Sequence, residues 1–253
     1  MPLKSIDKAV TILNCYSPDR QVLGVGEISQ MTGYTKSTTS RILATLEKRG
    51  CVERAEGFGK YRLGYRIYLW GNIVRKQISL AAIARPGMEE LRDACGEEVI
   101  LYVIEGYRRV SLEIAESIHR IANIDRVGRY YPLHAGAAGK ILFAYFPKEK
   151  RSEFYAREPL EKFTQKTITD VELLEKELET IRKQGYAVSR GEREPDAFSV
   201  NAPVMDASRQ VVAGLSLSGP VFRLNEEKLK MYIQLVIAAA KEISEKLGYI
   251  RDR

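Results

Sequence analysis

Residues 26–50, reading GEISQMT, then Gly33, Tyr34 and Thr35, then KSTTSRILATLEKRG, constrain this chain more than any other stretch. GEISQMT predicts a short helix that stops at Gly33, a residue suited to the left-handed turn after a helix. In the following run Thr39, Ile42, Leu43 and Leu46 share one helical face, and Gly50 ends it. The other face presents Lys36, Ser37, Ser40, Arg41, Glu47 and Lys48. Two helices joined by a tight glycine turn, the second with a hydroxyl-rich and basic outer face, predict a helix-turn-helix. A recognition helix meets the major groove with its N-terminal half. Thr35, Lys36, Ser37, Thr38, Ser40 and Arg41 are therefore candidate contacts to base edges and phosphates of double-stranded operator DNA.

The flanks extend the pattern. Ile6, Ala9, Leu13 and Tyr16 fall on one face of a helix expected over 5–16, with Ser5 as its cap. CVERAEGFGKYRLGYRI predicts two short strands around Glu56-Gly57-Phe58-Gly59. Such a hairpin is a wing, and its Lys60 and Arg62 are candidate contacts to phosphates or the minor groove. The charge is placed accordingly. The net charge is +7, and residues 1–75 hold twelve basic against six acidic residues, an excess of +6 that leaves +1 for the rest. A polyanion-binding head on a near-neutral body follows. A head that contacts protein rather than DNA is the competing reading.

The remaining residues exclude several classes. At 253 residues, 45% hydrophobic and 29% charged, the chain is neither disordered nor fibrous and has room for two domains. No apolar stretch approaches the roughly 20 residues of a membrane span; the longest apolar-rich run, Met231 to Ala240, is interrupted by Gln234. The start MPLKSIDKAV carries no apolar signal core, so a cytoplasmic location is expected. Cys15, Cys51 and Cys95 are far apart, and only His119 and His134 accompany them, so no metal site and no cofactor are expected. HAGAAGKI lacks the spacing and terminal hydroxyl of a phosphate loop, and no hydrolase or zinc-protease motif occurs, so the chain is not expected to be an enzyme.

Beyond the wing, Ile67, Trp70 and Val74 predict a linker helix over 66–80, facing either its twin in a dimer or its own wing domain. A second helix is expected from near Pro86, with Met88, Leu91 and Cys95 in one stripe. Strands are expected over 98–104, 109–115, 118–124, 186–189, 200–205 and 211–218. Helices are expected over 137–146 and 170–184, with a last one capped by Asn225 and ended by Gly248. The body is thus α+β, a mostly antiparallel sheet carrying helices, with a polar loop at 189–199 suited to a small-molecule pocket. Gly136, Ala137, Ala138 and Gly139 open a helix whose N-terminus favours an anion. Ser199, Ser216 and Ser218 could donate to a carboxylate, Ser216 and Ser218 from one side of a strand, and Arg120 could add a clamp.

In order and spacing these segments resemble one family. SIDKAVTIL, ISQMTGYTKSTTSRILATLEKRG and YRLG resemble the head of IclR-type transcription regulators. YPLHAGAAGKILFAY, GYAV, REPDAFSVNAPVMD and VVAGLSLSGP resemble the family's effector-binding body, so that the likeness spans about residues 4–248. The resemblance implies a winged helix-turn-helix over 1–65, a linker helix over 66–84 and a GAF-like effector domain over 85–253. It implies a homodimer or tetramer on operator DNA and a small organic acid, aliphatic or aromatic, as effector; the lack of an apolar span leaves no membrane partner expected. Residues matching the family's pocket are Arg120, Asn123, Tyr131, Ala137, Ala138, Ser189, Ala197, Ser199, Ser216 and Ser218. The chain departs from the family at Ser189, where an acidic residue is frequent, at Pro195-Asp196-Ala197, where a glycine is, and at Asn201, where a small residue is commoner.

Overall fold

The computed structural model describes residues 3–17, 19–77, 79–120 and 125–249, with backbone alone at 74–77 and 79. The chain divides into two compact units between Ser79 and Leu80.

The first unit begins with α1 (Lys4–Leu13), β1 (Val22–Gly24), α2 (Val25–Thr32) and α3 (Lys36–Lys48). It continues with β2 (Val52–Arg54), β3 (Lys60–Leu63) and α4 (Tyr65–Gln77). Its small antiparallel sheet has the order β1-β3-β2, so the wing hairpin gains a third strand that three residues were too few to announce. The core forms around Ile12, Ile28 and Leu43, all fully buried. Two expectations for α1 are corrected. It starts at Lys4 with Leu3 at the cap position, not at Ser5, and it has no side-chain cap. Ile6 is exposed, while Ile12, outside the expected stripe, is buried. Gly33 does turn the chain with φ of +72°, where any side chain would be strained.

The second unit holds α5 (Ser79–Cys95), β4 (Glu98–Glu105), β5 (Arg108–Ala115), β6 (Tyr130–Pro132), α6 (Ala137–Ala144) and α7 (Lys148–Arg157). After these come α8 (Val171–Gln184), β7 (Ala187–Arg190), β8 (Ala197–Met205), β9 (Val211–Pro220) and α9 (Glu226–Lys246). The six strands form an antiparallel sheet in the order β6-β5-β4-β9-β8-β7. Alternation along the strands sends each set of side chains to one face. Val99, Leu101, Val200, Leu215 and Leu217 pack against Met88 and Leu91 of α5 and Val236, Ala240 and Ile243 of α9. Ile100 and Tyr102 point the other way, into a cluster with α6 and with Leu174, Leu178 and Ile181 of α8. The α+β body of antiparallel sheet and flanking helices is as the sequence predicted. Three particulars are corrected. Pro86 lies inside α5 rather than at its start. No strand forms at 118–120, and 121–124 lie outside the described residues. The irregular loop is only 191–196, because β7 and β8 claim its ends.

One irregularity matters for the cavity. β4 and β5 shift register between Leu101 and Tyr102, which face Glu113 and Ser111 respectively. Leu112 is the extra residue of a β-bulge. Glu113 reaches Arg85 of α5 at 2.8 Å, on one face, while Ser111 and Arg109 pair with Tyr102 and Ile104 on the other. No helix among the described residues is long and apolar enough to cross a membrane.

Candidate nucleic-acid interface and ligand cavity

In the first unit, α3 buries Thr39, Leu43 and Leu46 and leaves Thr35, Lys36, Ser37, Ser40 and Arg41 exposed. Thr35 is the helix cap: its Oγ1 accepts from the Thr38 N–H at 3.2 Å and donates to Thr38 Oγ1 at 3.0 Å. This fixes the entry of α3 and turns Thr38 back on the cap, half-buried. Lys60 is exposed at the start of β3. Arg62 is exposed as well, but its Nε is held by Glu53 at 2.6 Å. A helix face of hydroxyls and cations beside a basic hairpin matches what a DNA groove requires: donors for phosphates, and short polar groups for base edges.

In the second unit a cavity of about 80 Å³ opens between the sheet and α6. At about 10–15 Å³ for each ordered water, it has room for roughly five to eight water-sized groups. Of the residues expected there, Tyr131, Gly136, Ala138, Ser189, Ala197, Ser199, Ser216 and Ser218 line it. Ala137 is buried in α6 but absent from the lining. Arg120 is exposed and does not line it, so the clamp expected from Arg120 is corrected. Asn123 lies outside the described residues. α6 fits so closely that a Cβ on Gly139 would stand 2.4 Å from the Leu133 carbonyl oxygen.

The arginines of this cavity are Arg109, Arg129 and Arg193. Arg109 is 3% exposed. Its guanidinium stands 4.9 Å from the Tyr102 ring and 4.8 Å from the Tyr131 ring. One terminal nitrogen donates to the Ala135 carbonyl at 3.2 Å, while Nε is buried without a hydrogen-bond partner among the described residues. Burial pulls its pKa below the ordinary range, yet a guanidinium stays protonated. Arg193 and Arg129 stand over the same Tyr131 ring at 4.3 and 5.2 Å. Asp125 accepts the hydroxyls of both Tyr102 and Tyr131; burial first, and then this carboxylate, raises the pKa of both tyrosines and keeps them protonated. No carboxylate forms an ion pair with Arg109 among the described residues.

The helix N-terminus is engaged from within the chain. The Gly136 N–H donates to Glu192 Oε2 at 3.2 Å. Glu192 Oε1 accepts from Lys140 Nζ at 2.7 Å, and Glu177 takes Lys140 at 2.9 Å. The opposite wall carries Glu98, 3% exposed, with Oε2 buried and unpartnered among the described residues. Burial first, then the nearby carboxylates of Asp125, Glu116 and Glu194, push Glu98 up to about 8. His134, the sequence's nearest approach to a catalytic base, donates from Nε2 to the Glu161 carbonyl at 2.9 Å, and burial lowers its pKa. It is a structural group. Sequence reasoning missed Arg109, Glu98, Tyr102 and Asp125. Arg109 sits next to a hairpin tip, and only the bulge and the pairing of Arg109 with Tyr131 of β6 turn it inward.

A reading helix with a wing and a polar cavity in a separate unit define a DNA-binding transcription regulator. Residues 5–56 match the IclR helix-turn-helix domain, and residues 73–245 match the bacterial transcriptional regulator IclR C-terminal domain. The chain belongs to the IclR family. It is 31% identical to the HTH-type transcriptional regulator KipR of Bacillus subtilis over 97% of this chain and 98% of that protein. It is 30% identical to KdgR of Escherichia coli, over 98% and 94%. Among solved structures, the IclR of Thermotoga maritima superposes with a TM-score of 0.73 at 31% identity, covering 97% and 99%. An IclR homolog from Microbacterium hydrocarbonoxydans, complexed with 4-hydroxybenzoate, superposes with a TM-score of 0.83 at 27% identity, covering 96% and 99%. Its relatives are named regulators of transcription, and the chain is not an enzyme.

Proposed function

We propose that this regulator senses a small organic acid in the cavity of its second unit and transmits binding to operator DNA held by α3 and the wing. The observation that carries the acid is Arg109. A buried cation with no carboxylate partner is expensive, and a ligand carboxylate is the group that would balance it. The DNA contacts are Thr35, Lys36, Ser37, Thr38, Ser40 and Arg41, with Lys60 and Arg62 on the wing. The domains run 1–65, 66–84 and 85–253, and the protein works in the cytoplasm as a homodimer or tetramer. The oligomer reading is supported by α4, where Tyr65, Tyr68, Trp70 and Ile73 are all exposed. Ile67 on the same helix packs into the first unit's core. A helix with apolar side chains on both sides has a second partner to find.

Binding of the full chain to duplex DNA from upstream of its own gene, measured across a salt series against random duplex, tests the reading. Selective binding that weakens steeply with salt, and that a carboxylate alters, is expected. Coupling is reciprocal, so DNA and acid must change each other's affinity by the same factor. Arg109→Met should abolish the response to acid while DNA binding without acid persists. Equal acid responses in Arg109→Met and wild type would remove the cavity from the mechanism. Binding without selectivity or salt dependence would turn the head toward a protein partner.

A further inference from the structure

We infer that the effector is a hydroxylated carboxylic acid, its carboxylate at Arg109 and its hydroxyls read by a row of side chains that starts at Glu98. This rests on the reading of the cavity as the effector site and narrows it. Glu98 of β4 lies opposite Ser218 of β9. Ser218 lies opposite Ser199 of β8, and Ser199 opposite Ser189 of β7. Residues directly opposed on neighbouring strands point to the same face, with strands about 4.8 Å apart. All four line the cavity. The register therefore draws a continuous polar row across four strands, in a sheet whose other face is apolar.

Glu98 gives the row its direction. Among the described residues its buried Oε2 has no hydrogen-bond partner, and its Oε1 accepts only the long bond from the Asp125 N–H at 3.4 Å. A hydrocarbon ligand closing over this row would leave that oxygen and three hydroxyls unpaired. A site built around groups that need a hydroxyl rejects the analogue that lacks it. Burial favours the neutral form of Glu98, and a neutral carboxyl gives one hydrogen bond and accepts another, as a hydroxyl does. An ammonium group fits less well, because Arg109 shares the same small cavity. The room available suits a short acid with two or three hydroxyls.

Calorimetric titration of the full chain with glycerate and threonate, against propanoate and butanoate, tests the inference. The hydroxylated acids are expected to bind at least about tenfold tighter than the deoxy acids of equal length. In the double variant Ser199→Ala/Ser218→Ala that preference should fall toward one, with butanoate affinity kept or raised; Glu98→Leu should act in the same direction. If Glu98→Leu does not fold, the serine pair decides. Butanoate binding as tightly as threonate to wild type would overturn the hydroxyl reading and leave the acid site standing. Serine or β-alanine binding in place of the hydroxy acids would overturn it in favour of an ammonium group. No binding by any of these acids, with DNA binding intact, would sink both the hydroxyl reading and the acid site.

Discussion

The cations of α3 and the buried cations of the body are treated in opposite ways. On α3, Lys36 and Arg41 stand in water. In the body, Lys140 is held by Glu177 and Glu192, Arg151 by Glu175, and Arg223 by Glu97, all largely out of water. A solvated cation adds little to stability and is available to an outside polyanion. A buried one belongs to the fold when a carboxylate meets it. Arg109 fits neither description, and it is this that supports the proposed acid site.

The largest expected effect breaks a buried pair. Arg223→Ala strands the Glu97 carboxylate, 1% exposed, and should lower unfolding free energy by about 3–5 kcal/mol. The urea midpoint should drop with its slope unchanged. The counterpart on α3 should behave differently. Arg41→Ala should leave stability within about 0.5 kcal/mol and weaken operator binding by about 1–3 kcal/mol. Lys60→Ala should mainly lower the salt slope of binding, by about one phosphate contact. A loss of stability in Arg41→Ala equal to that in Arg223→Ala would erase the contrast.

The pH dependence of stability sharpens it further. Glu98 is raised in the fold to about 8, so the folded state holds a proton there that the unfolded chain has released. Its contribution is complete below the ordinary carboxylate range and is lost as pH rises through about 8. The slope should reach about 1.4 kcal/mol per pH unit in between. Asp125 and Glu194 line the same cavity and Glu116 adds its charge, so the slope reports the cluster rather than one group. Thermal melts between pH 5 and pH 8 should show it in wild type and a flatter course in Glu98→Gln; equal slopes would place the proton elsewhere. The smallest effect is the cap. Thr35→Ala should cost about 1 kcal/mol, read in the melting of the first unit.

What the sequence made legible follows from where periodicity survives. α3, α8 and α9 keep clean apolar faces, and each carries a side-chain cap in the structure: Thr35, Asp170 and Asn225. The hairpin of β4 and β5 stands out because eight-residue strands flank a glycine turn. α7 does not, because its inward positions are Arg151 and Phe154 and the arginine reads as surface until Glu175 is found beside it. β6 is three residues, too short for any pattern. In the cavity the serines were legible, since their spacing along β9 sets one face. Arg109 was not, because strand alternation alone groups it with Glu113, which faces α5. Arg120, the arginine that motif matching favoured, lies in water.

The bulge at Leu112 makes the chemistry of the cavity a property of backbone count. Were Leu112 instead paired regularly opposite Tyr102, the alternation from Glu113 would run on unbroken and each side chain from Arg108 to Ser111 would turn over. Val110 would then face the cavity, and Arg109 would face the apolar layer formed with α5 and α9. Forming or straightening this one bulge therefore exchanges a polar cavity wall for an apolar one, with no substitution at all. When relatives are compared at this cavity, the register of this hairpin is as informative as the letters in it.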